Sequence, residues 1–276
     1  MRYGNIMIET IKKEWQVKVA VVLLLALTVW WGVGLLHPDT YSTRYFGDYP
    51  SIYGVMALWG GFWGFSISKH WGGMKSVMGK AIIMFSLGLF AQEVGQIIYA
   101  YYSFVEHIAV PYPSLGDIGY FGSIPLYIYG VYLLAKASGA TIKLQSYRHR
   151  IPAILIPLIM LALGYILFLQ TYEFDFSNPI KIFLDFGYPF GQKIYISLAI
   201  VTYLLSKGVL GGVMKNRILF ILFALFIQFL SDFTFLYQSS RGTWSVGGIN
   251  DFMYLCAYFL MTLSLLQLAT VLRKLK

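Results

Sequence analysis

Residues 19–36 read VAVVLLLALTVWWGVGLL, eighteen consecutive positions without a charged side chain. Coiled as an α-helix this stretch is about 27 Å long, close to the ~30 Å hydrocarbon core of a bilayer. Its apolar residues have no helical period and leave no polar face. A helix of that kind is surrounded on every side by apolar material. The segment is therefore a membrane span, and the rest of the chain follows its pattern.

Seven further runs qualify, giving eight spans at about 17–36, 51–68, 79–100, 117–135, 151–170, 186–206, 217–237 and 251–272. They predict an all-α, polytopic membrane protein, one integral domain over residues 1–276. The connections are too short for a soluble catalytic domain. The first run resembles the h-region of a signal peptide. Its length, the lack of a small-x-small cleavage site and the spans after it predict a retained signal-anchor helix.

Composition agrees: 58% of residues are hydrophobic and 12% charged, against about 45–50% and 25% in soluble domains. The net charge of +9 would raise the question of nucleic acid in a soluble protein. Here the basic residues lie in clusters between apolar runs and serve topology instead. With the N-terminus in the cytoplasm, 17 of the 21 Lys and Arg fall on inner segments, from Arg2, Lys12, Lys13 and Lys18 to Arg273, Lys274 and Lys276. Only Arg44, Lys181 and Arg241 fall outside, with Lys193 inside a span. The reverse orientation violates the positive-inside rule at every loop. Both termini are thus expected in the cytoplasm, at a cell membrane whose lipids are the first partner, with anionic headgroups near the basic loops. No nucleic acid is expected.

The single cysteine, Cys256, cannot form an internal disulfide and reads as a small packing residue. No P-loop, H-E-x-x-H, G-x-S-x-G or C-x-x-C pattern occurs, and His37, His70, His107 and His149 all fall in loops. The expectation is a non-enzymatic protein without cofactor or metal.

The outer ends of the even-numbered spans share a mark: GDYPSIYG from Gly47, GDIGYFGSIP from Gly116, LDFGYPFGQ from Leu184 and NDFMYLCAY from Asn250. Their acids, Asp48, Asp117, Asp185 and Asp251, are spaced by 69, 68 and 66 residues. Three share D-x-x-Y, through Tyr120, Tyr188 and Tyr254. An acid is expected at a helix N-terminus, where it caps free amides and meets the positive end of the dipole. Capping explains the acid but not the spacing or the tyrosine. The pattern predicts four tandem hairpins at about 17–69, 79–136, 151–207 and 217–273. Hairpins two and four agree further: aligning FAQ with FIQ sets Gln92 against Gln228 and Gln96 against Asp232. That is a 4+4 arrangement whose halves share one orientation, unlike the inverted repeat of many transporters.

Three ionisable residues lie within spans: Glu93, Lys193 and Asp232. Such groups are costly in hydrocarbon and face a bundle interior or a wet cavity. All three, with Gln92, Gln96, Gln192 and Gln228, are expected in the outer third of the spans. Gln92/Gln96 and Gln228/Asp232 are i,i+4 pairs, each on one helix face. Two like faces and a central lysine would line an outward-facing polar-aromatic pocket for a small ligand. The alternatives are a structural network pairing Lys193 with Glu93 or Asp232, and an ion path. In LWGGFWG, Gly60, Gly61 and Gly64 permit close helix approach beside Trp59 and Trp63.

The stretch PYPSLGDIGYFGSIPLYIYGVYLL, Pro111 to Leu134, resembles the multi-pass membrane sensor regions of prokaryotic signalling proteins, which precede diguanylate cyclase or histidine kinase domains. GGINDFMYLCAYFLMTLSLL, Gly247 to Leu266, is similar to it. The resemblance implies an outward-facing sensing module with Asp117 and Asp251 at matching positions. No output domain follows here, so a separate signalling partner is expected. A small-solute or ion transporter or channel component, and a structural or assembly protein, remain the other readings.

Overall fold

The computed structural model describes residues 14–36, 49–144, 146–170, 172–206 and 212–275. Asp48 and both chain ends lie outside the described residues. Eight long helices follow one another: α1 (Trp15–Leu36), α2 (Val55–His70), α3 (Val77–Tyr101), α4 (Gly116–Ala137), α5 (Tyr147–Phe168), α6 (Pro179–Ser206), α7 (Gly212–Ser240) and α8 (Ile249–Leu275). The chain is an all-α, polytopic membrane protein. Six helices are long and apolar enough to cross a bilayer, those built on α1, α3, α4, α5, α7 and α8. Of the other two, α2 has only 16 residues, and α6 carries Lys181, Asp185 and Lys193.

Six helices close into a ring in the order α2, α3, α4, α6, α7, α8 and back to α2. Helix α1 lies outside against α8 and α2, and α5 lies outside against α6 and α7. Burial separates the two groups: 6% of the apolar window of α5 and 17% of that of α1 are covered, against 67% for α8. Helices so apolar and so little covered by protein are stable where the solvent is hydrocarbon.

Missing side chains set how closely the ring closes. Without a hydrophobic drive between helices in lipid, small residues that bring backbones together supply the van der Waals contact. Gly119 of α4 faces the backbone of Ala91 and Gly95 on α3, so a Cβ there would stand 2.5 Å from the Gly95 amide nitrogen. Gly88 and Gly95 receive the rings of Tyr127 and Tyr120. On α2, Gly60 lies against Thr262 and Leu89, and Gly64 against Ser86 and Leu265. The glycine run therefore packs helices, as its sequence implies. Tryptophans hold α1 at both ends. Trp31 donates to the Gly247 carbonyl at 2.9 Å and stacks on Phe252 at 4.3 Å. At the other end Trp59 donates to the Gln16 carbonyl at 3.0 Å.

The expected helix caps need correction. Helix α6 starts at Pro179, not near residue 186, because Asn178 caps it by accepting the Lys181 amide at 3.1 Å. Asp185 therefore stands inside the helix, not at its cap. It ion-pairs with Lys181 at 2.6 Å in an i,i+4 geometry. Asp117 and Asp251 lie in the first turns of α4 and α8. Each reaches back to an amide ahead of its helix, Ser114 N–H and Gly247 N–H, both at 2.7 Å. The four-member mark thus resolves, among the described residues, into one matched pair and one different acid.

The α3–α4 contact yields a paired test. Gly119→Ala puts a methyl group into backbone and should cost about 1–3 kcal/mol. Gly122, three residues along, has nothing within 4 Å of a Cβ. Gly122→Ala should be neutral or stabilise by up to about 1 kcal/mol through helix propensity. Thermal unfolding of the purified variants in one detergent reads both, and equal Tm changes would contradict this packing.

Candidate functional site

The polar side chains of α3 and α7 meet tyrosines, not one another. On α3, Gln92 donates to Ser123 Oγ at 2.8 Å and accepts the Tyr258 hydroxyl at 3.0 Å. One turn on, Gln96 donates to the Tyr53 hydroxyl at 3.0 Å. Asp251 accepts the Gly247 amide at 2.7 Å. Two short chains, Ser123–Gln92–Tyr258 and Gln96–Tyr53, thereby tie α3 to α4 and α8 and to the lead into α2. Tyr53, Gln92, Gln96, Ser123, Asp251 and Tyr258 are all buried. Each bond made inside hydrocarbon spares a polar group an unpaired state that costs several kcal/mol.

Helix α7 builds the second cluster. Asp232 accepts Gln228 Nε2 and the Tyr254 hydroxyl, each at 3.0 Å, on one oxygen, and the Tyr195 hydroxyl at 2.6 Å on the other. Three donors on a buried carboxylate satisfy it without a basic partner. The two clusters are joined by ring contacts, Tyr254 with Tyr258 at 6.1 Å and Tyr127 with Tyr195 at 6.0 Å.

Among the described residues Glu93, Lys193 and Asp232 form no ion pair with one another, although Lys193 and Asp232 lie near enough for their charges to interact. Lys193 is 1% exposed, and its ammonium has no hydrogen-bond partner. It sits among three phenyl faces, Phe229 at 4.8 Å, Phe233 at 5.1 Å and Phe168 at 5.2 Å. Its stem passes Gly164 of α5, where a Cβ would lie 3.3 Å away. Lys193 is thus enclosed by α5, α6 and α7, behind the ring. Cation–π attraction to desolvated rings adds to the attraction of the Asp232 charge. Glu93 follows Gln92 by one residue, about 100° round the helix, and so points to the lead into α2, against Gly54. Gln192 is buried with its Oε1 unpartnered.

The connections at this end add a separate cluster. Asp117 accepts the Tyr188 hydroxyl at 2.7 Å, joining α4 to α6. Asp185 accepts Tyr112 at 2.8 Å and Tyr172 at 2.7 Å besides Lys181. Burial and the bond to Asp185 push the Tyr172 hydroxyl up to about 12 and raise Tyr112 as well. Ser177 holds the exposed Asp175 carboxyl below its ordinary value.

Sequence reasoning found the glutamines and acids but missed Tyr195, Tyr258 and Ser123. A signal existed on α8: Asp251, Tyr254 and Tyr258 stand at i, i+3 and i+7, one helix face. Among the described residues no three His, Cys, Asp or Glu side chains converge as a metal site would require. Comparison of the chain with family models, with curated proteins and with solved structures gives no match.

The Asp232 cluster has a measurable worth. Tyr195→Phe and Tyr254→Phe each remove one donor to a buried carboxylate and should cost roughly 1–3 kcal/mol. Tyr129→Phe, at a residue that is 47% exposed, should cost nothing measurable. Unfolding in mixed micelles, read by tryptophan fluorescence, would show the difference. A neutral Tyr195→Phe would remove Asp232 as an organising group.

Proposed function

We propose that the chain is an eight-span, non-enzymatic binding module that presents a polar-aromatic core to the outside and takes a small ligand there. The observation that carries this reading is the buried layer itself. Tyrosines, glutamines and two acids concentrate near the end that bears Asp117 and Asp251, and several of their atoms stay unpartnered. Gln96 Oε1, Gln192 Oε1, the Tyr127 hydroxyl and Glu93 Oε2 are buried without a bond. A purely structural network would satisfy these groups, because each open one costs free energy. A binding layer keeps them for its ligand. The resemblance to membrane sensor regions gives the role: occupancy is passed to a separate signalling partner.

The 4+4 relationship belongs to the same proposal. Exchanging the first four helices with the last four maps the ring order onto itself and leaves α1 and α5 as the two outer helices. Tyr53 and Asp251 stand at the positions that Tyr188 and Asp117 take under that exchange, where Tyr188 donates to Asp117. The tyrosines are 135 residues apart and the acids 134. The lead into α2 turns at Tyr53–Gly54, just after its tyrosine, and α6 carries Pro189 at the matching place within an unbroken helix. The inner ends carry Lys69, Lys75, Lys136, Arg148 and Arg150, which supports cytoplasmic termini through the positive-inside rule.

Two measurements test the proposal. In a Cys256→Ser background, a membrane-impermeant maleimide should label Ser177→Cys on intact cells, and Arg148→Cys only after permeabilisation. The reverse pattern would invert the topology. Proteoliposomes loaded with amino acids, sugars or polyamines should hold their gradients. Sustained downhill flux of any of them, blocked by Gln92→Leu, would make the chain a transporter.

A further inference from the structure

The lead into α2 contains an interrupted helix that faces a carboxylate and an amide. Residues 49–52 are helical, Tyr53 and Gly54 form a turn, and α2 starts at Val55. Across the interruption the Met56 amide reaches back three residues to the Tyr53 carbonyl, at 3.1 Å, before the regular ladder resumes. Facing it from α3 are Glu93 and Gln96. A methyl group on Gly54 would collide with the Glu93 carboxylate and stand 2.8 Å from Gln96 Cγ. These two side chains therefore occupy the space that the missing Cβ leaves. Ser51 stands one turn before Gly54, on the same face of the chain.

Three side-chain oxygens of these residues make no hydrogen bond. Glu93 Oε2, Gln96 Oε1 and Ser51 Oγ are each buried without a hydrogen-bond partner. Gln96 is 4% exposed, and its amide nitrogen is committed to the Tyr53 hydroxyl. The free end of that amide is thus its carbonyl oxygen, by hydrogen-bond assignment. Among the described residues no Lys or Arg ion-pairs with Glu93; the pair that forms is Lys181–Asp185. An uncompensated carboxylate beside an amide carbonyl and a hydroxyl, in a low-dielectric setting, attracts a positive charge strongly.

We infer that Glu93, Gln96 and Ser51, around the interruption before α2, form a site for a small monovalent cation, either a sodium ion or a primary ammonium group. Hard oxygen ligands select such cations over transition metals. One formal negative charge balances one positive charge, whereas a divalent ion draws on more carboxylates. Carbonyls near an unwound helix in a bilayer are a recurring way to complete such a shell. The Tyr49 and Tyr53 rings, 5.5 Å apart beside the site, add π faces that favour a cation. The inference does not depend on whether the chain senses or transports, since occupancy alone is read out.

The test is thermal unfolding of the purified full chain at constant ionic strength in sodium, potassium, methylammonium or choline chloride. Sodium or methylammonium should raise Tm saturably above the choline baseline, and which of the two does so identifies the source of the charge. Glu93→Gln should abolish the dependence. Gln96→Leu and Ser51→Ala should each raise the half-saturating concentration about tenfold, the scale of one lost ligand contact. Gly54→Ala, which keeps every ligand residue but pushes the Glu93 and Gln96 side chains aside, should abolish the dependence too. Should Glu93→Gln fail to fold, Glu93→Asp and Gly54→Ala carry the test. Identical Tm values in all four salts, or a salt response that survives in Glu93→Gln or Gly54→Ala, would overturn the inference.

Discussion

Inside a bilayer no water is at hand to satisfy a polar group, so each one must find a partner within the protein. That constraint organises this molecule more than any single contact. It explains why the buried glutamines, tyrosines and acids of the ring helices bond to one another near one end, and why Arg217 meets Gln267 at the other. It also explains the part played by tyrosine, whose ring is at home among apolar neighbours while its hydroxyl both donates and accepts. Tyr53, Tyr195, Tyr254 and Tyr258 convert isolated glutamines and acids into connected chains. The two ends of Asp232 are held in this way, and a carboxylate that would otherwise be prohibitive becomes a cross-link among α6, α7 and α8.

The same constraint gives different answers for the remaining two charges. Lys193 is surrounded by phenyl faces beneath α5, so its charge is spread over ring quadrupoles. Glu93 fills the space left by a glycine at a turn, with one carboxylate oxygen unpartnered. A lysine and a glutamate in one membrane protein invite the assumption of an ion pair. Their separation on opposite sides of the ring removes it, and leaves two sites with distinct physical characters.

Close packing makes the layer reachable for short hydroxyl-to-amide bonds. Gly54, Gly60, Gly64, Gly88, Gly95 and Gly119 all occupy positions where a side chain would push helices apart. An increase in spacing of one methyl group would stretch bonds near 3 Å beyond useful range. Glycine placement and polar placement are therefore one design, with α1 and α5 added outside the ring, where lipid covers their apolar surfaces.

The sequence by itself determined the membrane class, the helical architecture and the identity of the polar residues within the spans. Length, uniform apolarity and the cost of charge in hydrocarbon act locally and leave a direct trace in composition. It also placed Gln92 with Gln96 and Gln228 with Asp232, because helical phase is fixed over one turn. Only the tertiary structure decided what those faces meet. Helix rotation and the order of the ring separate Glu93 from Lys193, seat Asp185 within α6 under an Asn178 cap, and bring Tyr258 of α8 to Gln92 of α3. These outcomes depend on contacts between residues up to 166 positions apart, which no local pattern encodes.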